Sequence, residues 1–299
     1  MGNKMNLKET ILLFFKGFFM GLADIIPGVS GGTIALIVGV YERLITAIKN
    51  INPFTVRNLP GVFLGQKEPT KNFIADIKKI DFLFLAVLGG GILAAIVIGS
   101  KSIPYLMTSY PLYVYAFFSG LIIASIRIIV RRKLDKFTKQ DLFVLLFGLI
   151  SGLAIVSLPA LQTTHNLLIT FISGMVAICA MILPGISGSF ILLILGQYEF
   201  MLKVLHNITG QFWHFLLFLA GAGVGLLGFS RFLSWLFRKY HDYVVMFLSG
   251  LMLGALKLPA EEMFKAGPVS GFSAALAFLT IVLGAAVVTT IGFISTRVK

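Results

Sequence analysis

The sequence predicts an all-α polytopic membrane protein made of two inverted-topology repeats. Each repeat is expected to hold a broken or re-entrant helix pair and three transmembrane helices. The first observation is composition: 58% of the 299 residues are hydrophobic and only 12% are charged, whereas about 25% of the residues of a soluble domain are charged. The second observation is a glycine-rich motif that occurs twice within apolar sequence, and the third is the uneven distribution of Lys and Arg along the chain. A surface this poor in charge must face lipid.

Eight apolar segments account for the predicted membrane helices, because most are long enough to cross a hydrocarbon core of about 30 Å. They lie near residues 7–26, 81–100, 110–130, 141–161, 166–183, 211–229, 243–256 and 270–294. The single cysteine predicts neither a disulfide framework nor a metal cluster, and we expect no cofactor. The net charge of +13 is concentrated in a few loops, a pattern typical of membrane topology rather than of nucleic-acid binding.

The two halves of the chain are related by an internal duplication. Residues 27–51 and 184–208 align without a gap, and 12 of the 25 aligned positions are identical. Residues 113–127 match 243–257 in the same way, at an offset of 130 rather than 157. The difference of 27 residues is a longer cytoplasmic loop near 52–79 of the first half. We therefore predict a first repeat over 1–139 and a second over 140–299, within one membrane domain.

The halves are expected to have opposite orientations in the membrane. Each half crosses the membrane an odd number of times, whether its motif pair dips in and returns or crosses twice. The first half therefore ends on the face opposite to its start, and the second half enters from that opposite face. With a cytoplasmic N-terminus, 19 of the 25 Lys and Arg residues lie inside. Four lie outside, namely Lys101, Lys203, Lys257 and Lys265. The positive-inside rule then places both termini in the cytoplasm of a multi-pass plasma-membrane protein.

The repeated motif, PGVSGGT in the first half and PGISGS in the second, predicts a helix that breaks and restarts. Proline interrupts a helix and serine favours an N-cap, while irregular backbone within a membrane must be buried or line a polar cavity. Two restarted helices with their N-termini facing one cavity would bind an anion such as phosphate or carboxylate. The predicted substrate-binding residues are Gly28, Ser30, Gly31, Gly32, Thr33, Gly185, Ser187, Gly188 and Ser189. The alternative is that these glycines only permit close helix packing.

Ionisable residues near the motifs are further candidates, because such groups are costly within a membrane. Asp24, Glu42 and Glu199 are candidates for coupling transport to H⁺ or Na⁺; the alternative for the glutamates is a solvated position at the membrane interface. Candidate head-group contacts are Arg43, Lys101, Arg127, Arg231 and Lys257, of which Lys101 aligns with Arg231 and Arg127 with Lys257. The alternative for these cations is snorkelling to the interface.

The string ADIIPGVSGGTIALIVGVYERL at 23–44, with its second copy, resembles the PopT-type family of bacterial membrane proteins. The resemblance covers essentially the whole chain. It implies a translocase that returns undecaprenyl phosphate, the lipid carrier of cell-wall synthesis, from the outer to the inner leaflet. One phosphate fits a midplane anion site while its tail stays among membrane lipids, and alternating exposure of that site completes the movement. The sequence has no P-loop, so the driving force is an ion gradient or the gradient of the substrate.

Two other functions remain open from the residues alone. The BacA-type undecaprenyl pyrophosphate phosphatases also have inverted halves and a PGxSRS-like string, but Gly31 and Gly188 stand where those enzymes have arginine. Without that arginine, stabilising charge on a leaving phosphate is harder, so we expect no enzyme activity. A secondary transporter of small soluble anions would share the midplane features and lack only a lateral opening to lipid. The coupling ion and the oligomeric state are left open by the sequence.

Overall fold

The fold is entirely helical in the part of the chain that the computed structural model describes, residues 5–26, 29–52, 63–64, 66–131, 137–267 and 270–297. The prediction of an all-α protein is therefore confirmed. In chain order the helices are α1 Leu7–Ile25, α2 Gly31–Ile37, α3 Tyr41–Lys49, α4 Lys67–Lys79, α5 Phe82–Ser109, α6 Pro111–Arg131, α7 Lys139–Val156, α8 Leu167–Ile182, α9 Gly188–Ile194, α10 Tyr198–His206, α11 Phe212–Ala255, α12 Lys257–Lys265 and α13 Gly271–Arg297.

Several helices are long enough to cross a membrane. The described residues contain five helices of sufficient length and apolarity, or up to seven if each of two bent pairs counts as one span. α11 has 44 residues, about 66 Å of helix, which is twice the thickness of a hydrocarbon core. Its backbone is non-helical at Tyr240 (φ −137°, ψ 40°), so it divides into a first arm, 212–239, and a second arm, 241–255. The protein is a multi-pass membrane protein.

The duplication in the sequence is also visible in the bounds of the helices. α2 and α9 have seven residues each, and α3 and α10 have nine each. α5 ends before Tyr110, whose backbone angles (φ −139°, ψ 46°) nearly equal those of Tyr240 at the aligned position of the second half. α5 therefore corresponds to the first arm of α11, and α6 to the second arm. The opposite orientation of the halves and their division at residue 139 stay predictions.

Glycine pairs bring the first two long helices of each half into close contact. α1 packs on α5 at Gly17 and Gly91, and α8 packs on the first arm of α11 at the aligned residues Gly174 and Gly221. A Cβ at any of these four positions would collide with a backbone oxygen of the partner helix. Small residues allow such backbone approach between membrane helices, where lipid removes the hydrophobic drive to pack.

α7 and α13 each make a further glycine-lined contact with another long helix. α13 lies against α6, with Gly120 and Gly284 at the crossing, and α7 lies against the second arm of α11, with Gly148 and Gly250 at the crossing. Each of these glycines faces a backbone oxygen of the partner helix. α13, in the second predicted repeat, thus packs on α6 of the first, and its removal would expose a closely packed face of the first repeat.

Alanine at Gly91 is expected to destabilise the protein, whereas alanine at Gly89 on the same helix is not. A Cβ at Gly91 would collide with the carbonyl oxygen of Phe14, but nothing lies within 4 Å of a Cβ at Gly89. Overpacking should lower the free energy of unfolding by about 1–3 kcal/mol for Gly91→Ala, while Gly89→Ala should raise it by up to about 1 kcal/mol through helix propensity. Denaturant unfolding in detergent micelles measures both, and equal stabilities would contradict the packing described.

Candidate functional site

The two motif turns, one from each half of the chain, are in direct contact. The backbone N–H of Gly185 donates to Thr33 Oγ1 at 2.7 Å, and this hydrogen bond is buried. The hydroxyl of Ser30 lies 3.4 Å from the carbonyl oxygens of Met181 and Leu183, at the end of α8. The interruptions of the two repeats, 152 residues apart in the chain, thus form one buried polar centre.

The first turn is capped by its own side chains. Ser30, which is 1% exposed, is the N-cap of α2 and accepts from the N–H of Gly32 at 3.1 Å. The Asp24 carboxylate accepts from the N–H of Gly31 at 2.7 Å. A Cβ on Gly31 would lie 2.5 Å from this carboxylate, so glycine is needed for the contact. An anionic group therefore already sits at the start of α2. Gly28, a predicted binding residue, lies outside the described residues.

The second turn lacks the equivalent cap. Ser187 occupies the N-cap position of α9 but makes no side-chain cap, and its hydroxyl lies 2.8 Å from that of Ser189. Met181 stands at the position that aligns with the acid of the first turn. Gly185 has a φ of +90°, which glycine adopts readily, and a Cβ on Gly188 would lie 2.9 Å from a carbonyl oxygen of α8. The second turn therefore offers donors without a carboxylate beside them.

Each motif helix is the first limb of a hairpin. α2 and α3 are bent by 116°, and α9 and α10 by 112°. Gly39 and Gly196, with φ of +72° and +65°, make the turns between the limbs. A seven-residue helix is about 10 Å long and cannot cross a core of about 30 Å. Each bent pair is consequently a hairpin rather than one straight span.

Asp24 is the predicted coupling residue that contacts a motif turn. Glu42 lies at the start of α3, where its Oε1 is 3.0 Å from His241 Nε2 and its side chain is 57% exposed. Glu199 occupies the aligned position in α10 and is also exposed. Among the described residues, no group of three His, Cys, Asp or Glu side chains is arranged to hold a metal ion.

Arg43 and Arg231 make contacts away from the motif turns. Arg43 Nε donates to Asp81 Oδ2 at 2.7 Å, and its guanidinium lies 4.3 Å from the centroid of the Phe84 ring. Arg231 donates to the carbonyl oxygen of Leu227 at 2.7 Å, on its own helix, and to that of Ile51 at 2.9 Å, just after α3. Both arginines thus tie the first motif hairpin and its flank to neighbouring helices.

The other three predicted cations lie on exposed or half-exposed surfaces. Lys101 on α5 and Arg127 on α6 are exposed. Lys257 donates to the hydroxyl of Ser157 and lies 3.6 Å from Glu261 Oε1. These positions agree with both roles considered for the three cations, which are contact with a passing head group and snorkelling to the membrane interface.

Two apolar grooves flank the motif turns. The first apolar groove, of about 550 Å³, runs between α1, α2, α5, α6 and α13 and includes Ile34 of the first motif. The second, of about 490 Å³, runs between α7 and both arms of α11 and includes Leu183, which caps α8. Their linings share aligned positions: Tyr110, Tyr113, Val114 and Phe117 in the first groove, and Tyr240, Tyr243, Val244 and Phe247 in the second. These grooves were not predicted from the sequence, although a Tyr-x-x-Tyr-Val-x-x-Phe string in each half marks them.

Loss of the Thr33 hydroxyl should weaken the junction between the halves. Thr33→Val keeps the side-chain shape but leaves the buried N–H of Gly185 without its acceptor, which costs about 1–3 kcal/mol of unfolding free energy. Thr289→Val is the matched control, because that exposed hydroxyl bonds only to carbonyls of its own helix. Thermal unfolding in micelles measures both variants, and a Thr33→Val protein as stable as the control would refute the junction.

Comparison with known proteins gives consistent matches over most of the chain. A model of the undecaprenyl phosphate translocase-like family matches residues 20–267. A Vibrio cholerae protein named Polyprenyl-phosphate transporter is 42% identical over 260 residues, which cover 85% of this chain and 78% of that protein. A Staphylococcus aureus protein with the same name is 29% identical over 257 residues, covering 81% and 83% of the two chains. No solved structure matches the chain.

Proposed function

The chain belongs to the undecaprenyl phosphate translocase-like family, and from this premise we propose that it transports a polyprenyl phosphate across the bacterial plasma membrane. The direction is from the outer to the inner leaflet, and both termini lie in the cytoplasm. Two relatives named as polyprenyl-phosphate transporters support the substrate class and a transporter rather than an enzyme. The observation that carries the proposal is the direct contact between the two motif turns.

The paired turns bind the phosphate head group. A bare charge in hydrocarbon costs tens of kcal/mol by Born estimates, so the protein must supply the hydrogen bonds that water supplies outside. The backbone N–H groups and hydroxyls of the two turns do this, and they come from Gly28, Ser30, Gly31, Gly32 and Thr33 in the first turn and Gly185, Ser187, Gly188 and Ser189 in the second. The Asp24 carboxylate on the Gly31 N–H supports this role, because it shows a carboxylate oxygen accommodated at the first turn.

Binding of the head group is linked to the charge on Asp24. Its carboxylate and the phosphate compete for the same N–H of Gly31, and two anions cannot share that position without repulsion. A proton or Na⁺ that neutralises Asp24 releases the N–H to the phosphate, which couples the ion to the substrate. Glu42 and Glu199 are proposed as secondary ion-binding groups at the two membrane faces.

Movement of the substrate needs a path for its tail and contacts for its head on both sides. The two apolar grooves lead from lipid to the motif turns and accept the polyprenyl chain, so the tail never enters water. Arg43, Lys101, Arg127, Arg231 and Lys257 attract the head group at the faces. Alternating exposure of the paired turns, by rocking of one repeat against the other, completes the transfer.

Reconstitution into liposomes tests the proposal against its alternatives. We expect labelled undecaprenyl phosphate in the outer leaflet to become inaccessible to an impermeant reagent faster with protein than without it. Release of inorganic phosphate from undecaprenyl pyrophosphate would instead indicate a phosphatase, and uptake of radioactive phosphate into the lumen a carrier of soluble anions. Either of those results, without lipid movement, would overturn the proposal.

A further inference from the structure

We propose that α7 and α11 form a second polyprenyl phosphate site, separate from the paired turns, at the cytoplasmic face. Arg238 and Lys239 hold the phosphate there, and the second apolar groove holds the tail. The identity of the ligand rests on the proposed function. The existence of the site rests on the adjoining polar and apolar surfaces described below.

A polar basin adjoins the second apolar groove. The basin has a volume of about 520 Å³, and Tyr240 and Tyr243 line both it and the groove. Its remaining lining residues are Thr138, Asp141, Arg238, Lys239, His241 and Asp242. The two surfaces meet at the break between the arms of α11, so one amphipathic molecule can occupy both at once.

Lys239 stands at the mouth of the groove, and the acids of the basin are held by other groups. The ammonium of Lys239 lies 5.2 Å from the centroid of the Tyr240 ring, which places a positive charge at the boundary between the two surfaces. Asp141 is 1% exposed and accepts from the backbone and hydroxyl of Thr138 in a capping box. Asp242 lies 3.3 Å from His241. An anionic head group is therefore attracted chiefly by Arg238 and Lys239.

The second apolar groove suits a long hydrocarbon chain. Phe229, Phe232, Leu236 and Phe247 line it, and none of the described residues in its lining carries a charge. Its far end reaches Leu183 beside the second motif turn. A tail in this groove can therefore accompany the head group as it moves between the paired turns and the basin. The phosphate then passes from one polar site to another and does not enter bare hydrocarbon.

The first half of the chain supplies an internal comparison. Its groove has the same tyrosines and phenylalanine, but Thr108 and Ser109 stand at the positions that align with Arg238 and Lys239. The Thr108 hydroxyl bonds to carbonyl oxygens of its own helix. A groove with the same aromatic residues therefore forms in the first half without the two cations, so the cations are an addition to the groove of the second half. The positive-inside rule places this end of α11 in the cytoplasm.

Photolabelling of the full chain tests this site. The protein is placed in nanodiscs of zwitterionic phosphatidylcholine with a polyprenyl phosphate that carries a diazirine on its tail, and labelled peptides are mapped by mass spectrometry. We expect label within 229–248 that excess undecaprenyl phosphate removes. Arg238→Gln with Lys239→Gln should lower this labelling about tenfold or more, because each cation near the surface is worth about 1 kcal/mol for an anionic lipid. Lys203→Gln with Lys265→Gln should leave it unchanged.

The outcomes separate this site from the transport function. Unchanged labelling in the Arg238/Lys239 variant, or equal competition by phosphatidylglycerol, would overturn the site by showing general contact with membrane lipid. Alanine at Ser30 and Ser187 should lower transport while labelling of 229–248 persists. Absence of transport by the wild-type protein, with the label still at 229–248, would refute the proposed function and leave a lipid-binding cleft.

Discussion

Replacement of Ser30 and Ser187 together by alanine is expected to lower transport of polyprenyl phosphate about a hundredfold or more, because a hydrogen bond to a charged group is worth about 1.5–3 kcal/mol. These two serines are 1% and 7% exposed and flank the contact between the two turns. Alanine removes the hydroxyls without adding volume, so the protein should still fold and insert. Leucine at both positions should abolish head-group binding altogether by filling the turns. Transport is measured in proteoliposomes with matched protein content.

The control for this variant is another buried serine. Ser249 is fully buried, and its hydroxyl donates to the carbonyl oxygen of Val245 at 2.8 Å on the same helix. Ser249→Ala should transport at the wild-type rate. Normal transport by the Ser30/Ser187 double variant would remove the paired turns from the mechanism, and equal losses in the double variant and the control would show that the effect is structural.

Asp24→Asn is expected to abolish the dependence of transport on an imposed proton or Na⁺ gradient. The amide oxygen of asparagine can still accept from the N–H of Gly31, but no charge remains for an ion to neutralise. A neutral acceptor makes a hydrogen bond about half as strong as a carboxylate does. The phosphate should therefore displace the asparagine side chain from the Gly31 N–H without a coupling ion. The measurement is the initial transport rate with and without each gradient.

Glu262→Gln is the matched control for Asp24→Asn. Glu262 forms an exposed ion pair with Lys265 at 2.6 Å, far along the chain from the motif turns, and its loss should leave the gradient dependence intact. A gradient dependence that persists unchanged in Asp24→Asn would exclude Asp24 as the coupling group and direct attention to the two glutamates at the faces.

The sequence predicted where the long apolar helices lie, because apolar length and composition determine them. The predicted segments 7–26 and 166–183 do form helices, α1 and α8, but these are not among the five described helices that are long and apolar enough to cross a membrane. The sequence also placed a gap between segments 211–229 and 243–256, which the structure joins in α11 with a break at Tyr240 alone. The polar residues around Tyr240 lower the local hydropathy, but they do not prevent helical backbone on either side of it. The sharp bend within each motif pair could not be read from the sequence, since only backbone geometry reveals a change of direction of more than 110°.

The packing of α13 on α6, across the two predicted repeats, was beyond the reach of the sequence. An alignment of repeats shows which positions are equivalent, but it does not show whether Gly120 contacts its own half or the other. The same limit applies to Asp24. Its closeness to the motif identified it as a candidate, yet its contact with Gly31 depends on how α1 ends against α2. The N-cap role predicted for serine is confirmed at Ser30, while Ser187 makes no such cap.

The central claim is that turns from both halves hold one phosphate, and a distance measurement in the bound state tests it most directly. Solid-state NMR can measure dipolar coupling between the phosphorus of undecaprenyl phosphate and ¹⁵N-labelled glycine amides in lipid. Assignment of Gly31 and Gly188 by single glycine-to-alanine exchange is blocked by their crowding. Because both glycines follow a serine, ¹³C-serine and ¹⁵N-glycine are introduced into one half of the chain at a time, which tells the two amides apart. An N–H···O hydrogen bond to a phosphate oxygen places phosphorus within about 5 Å of each amide nitrogen. We predict that both glycines show this distance; coupling to only one of them, or to neither, would contradict a shared site.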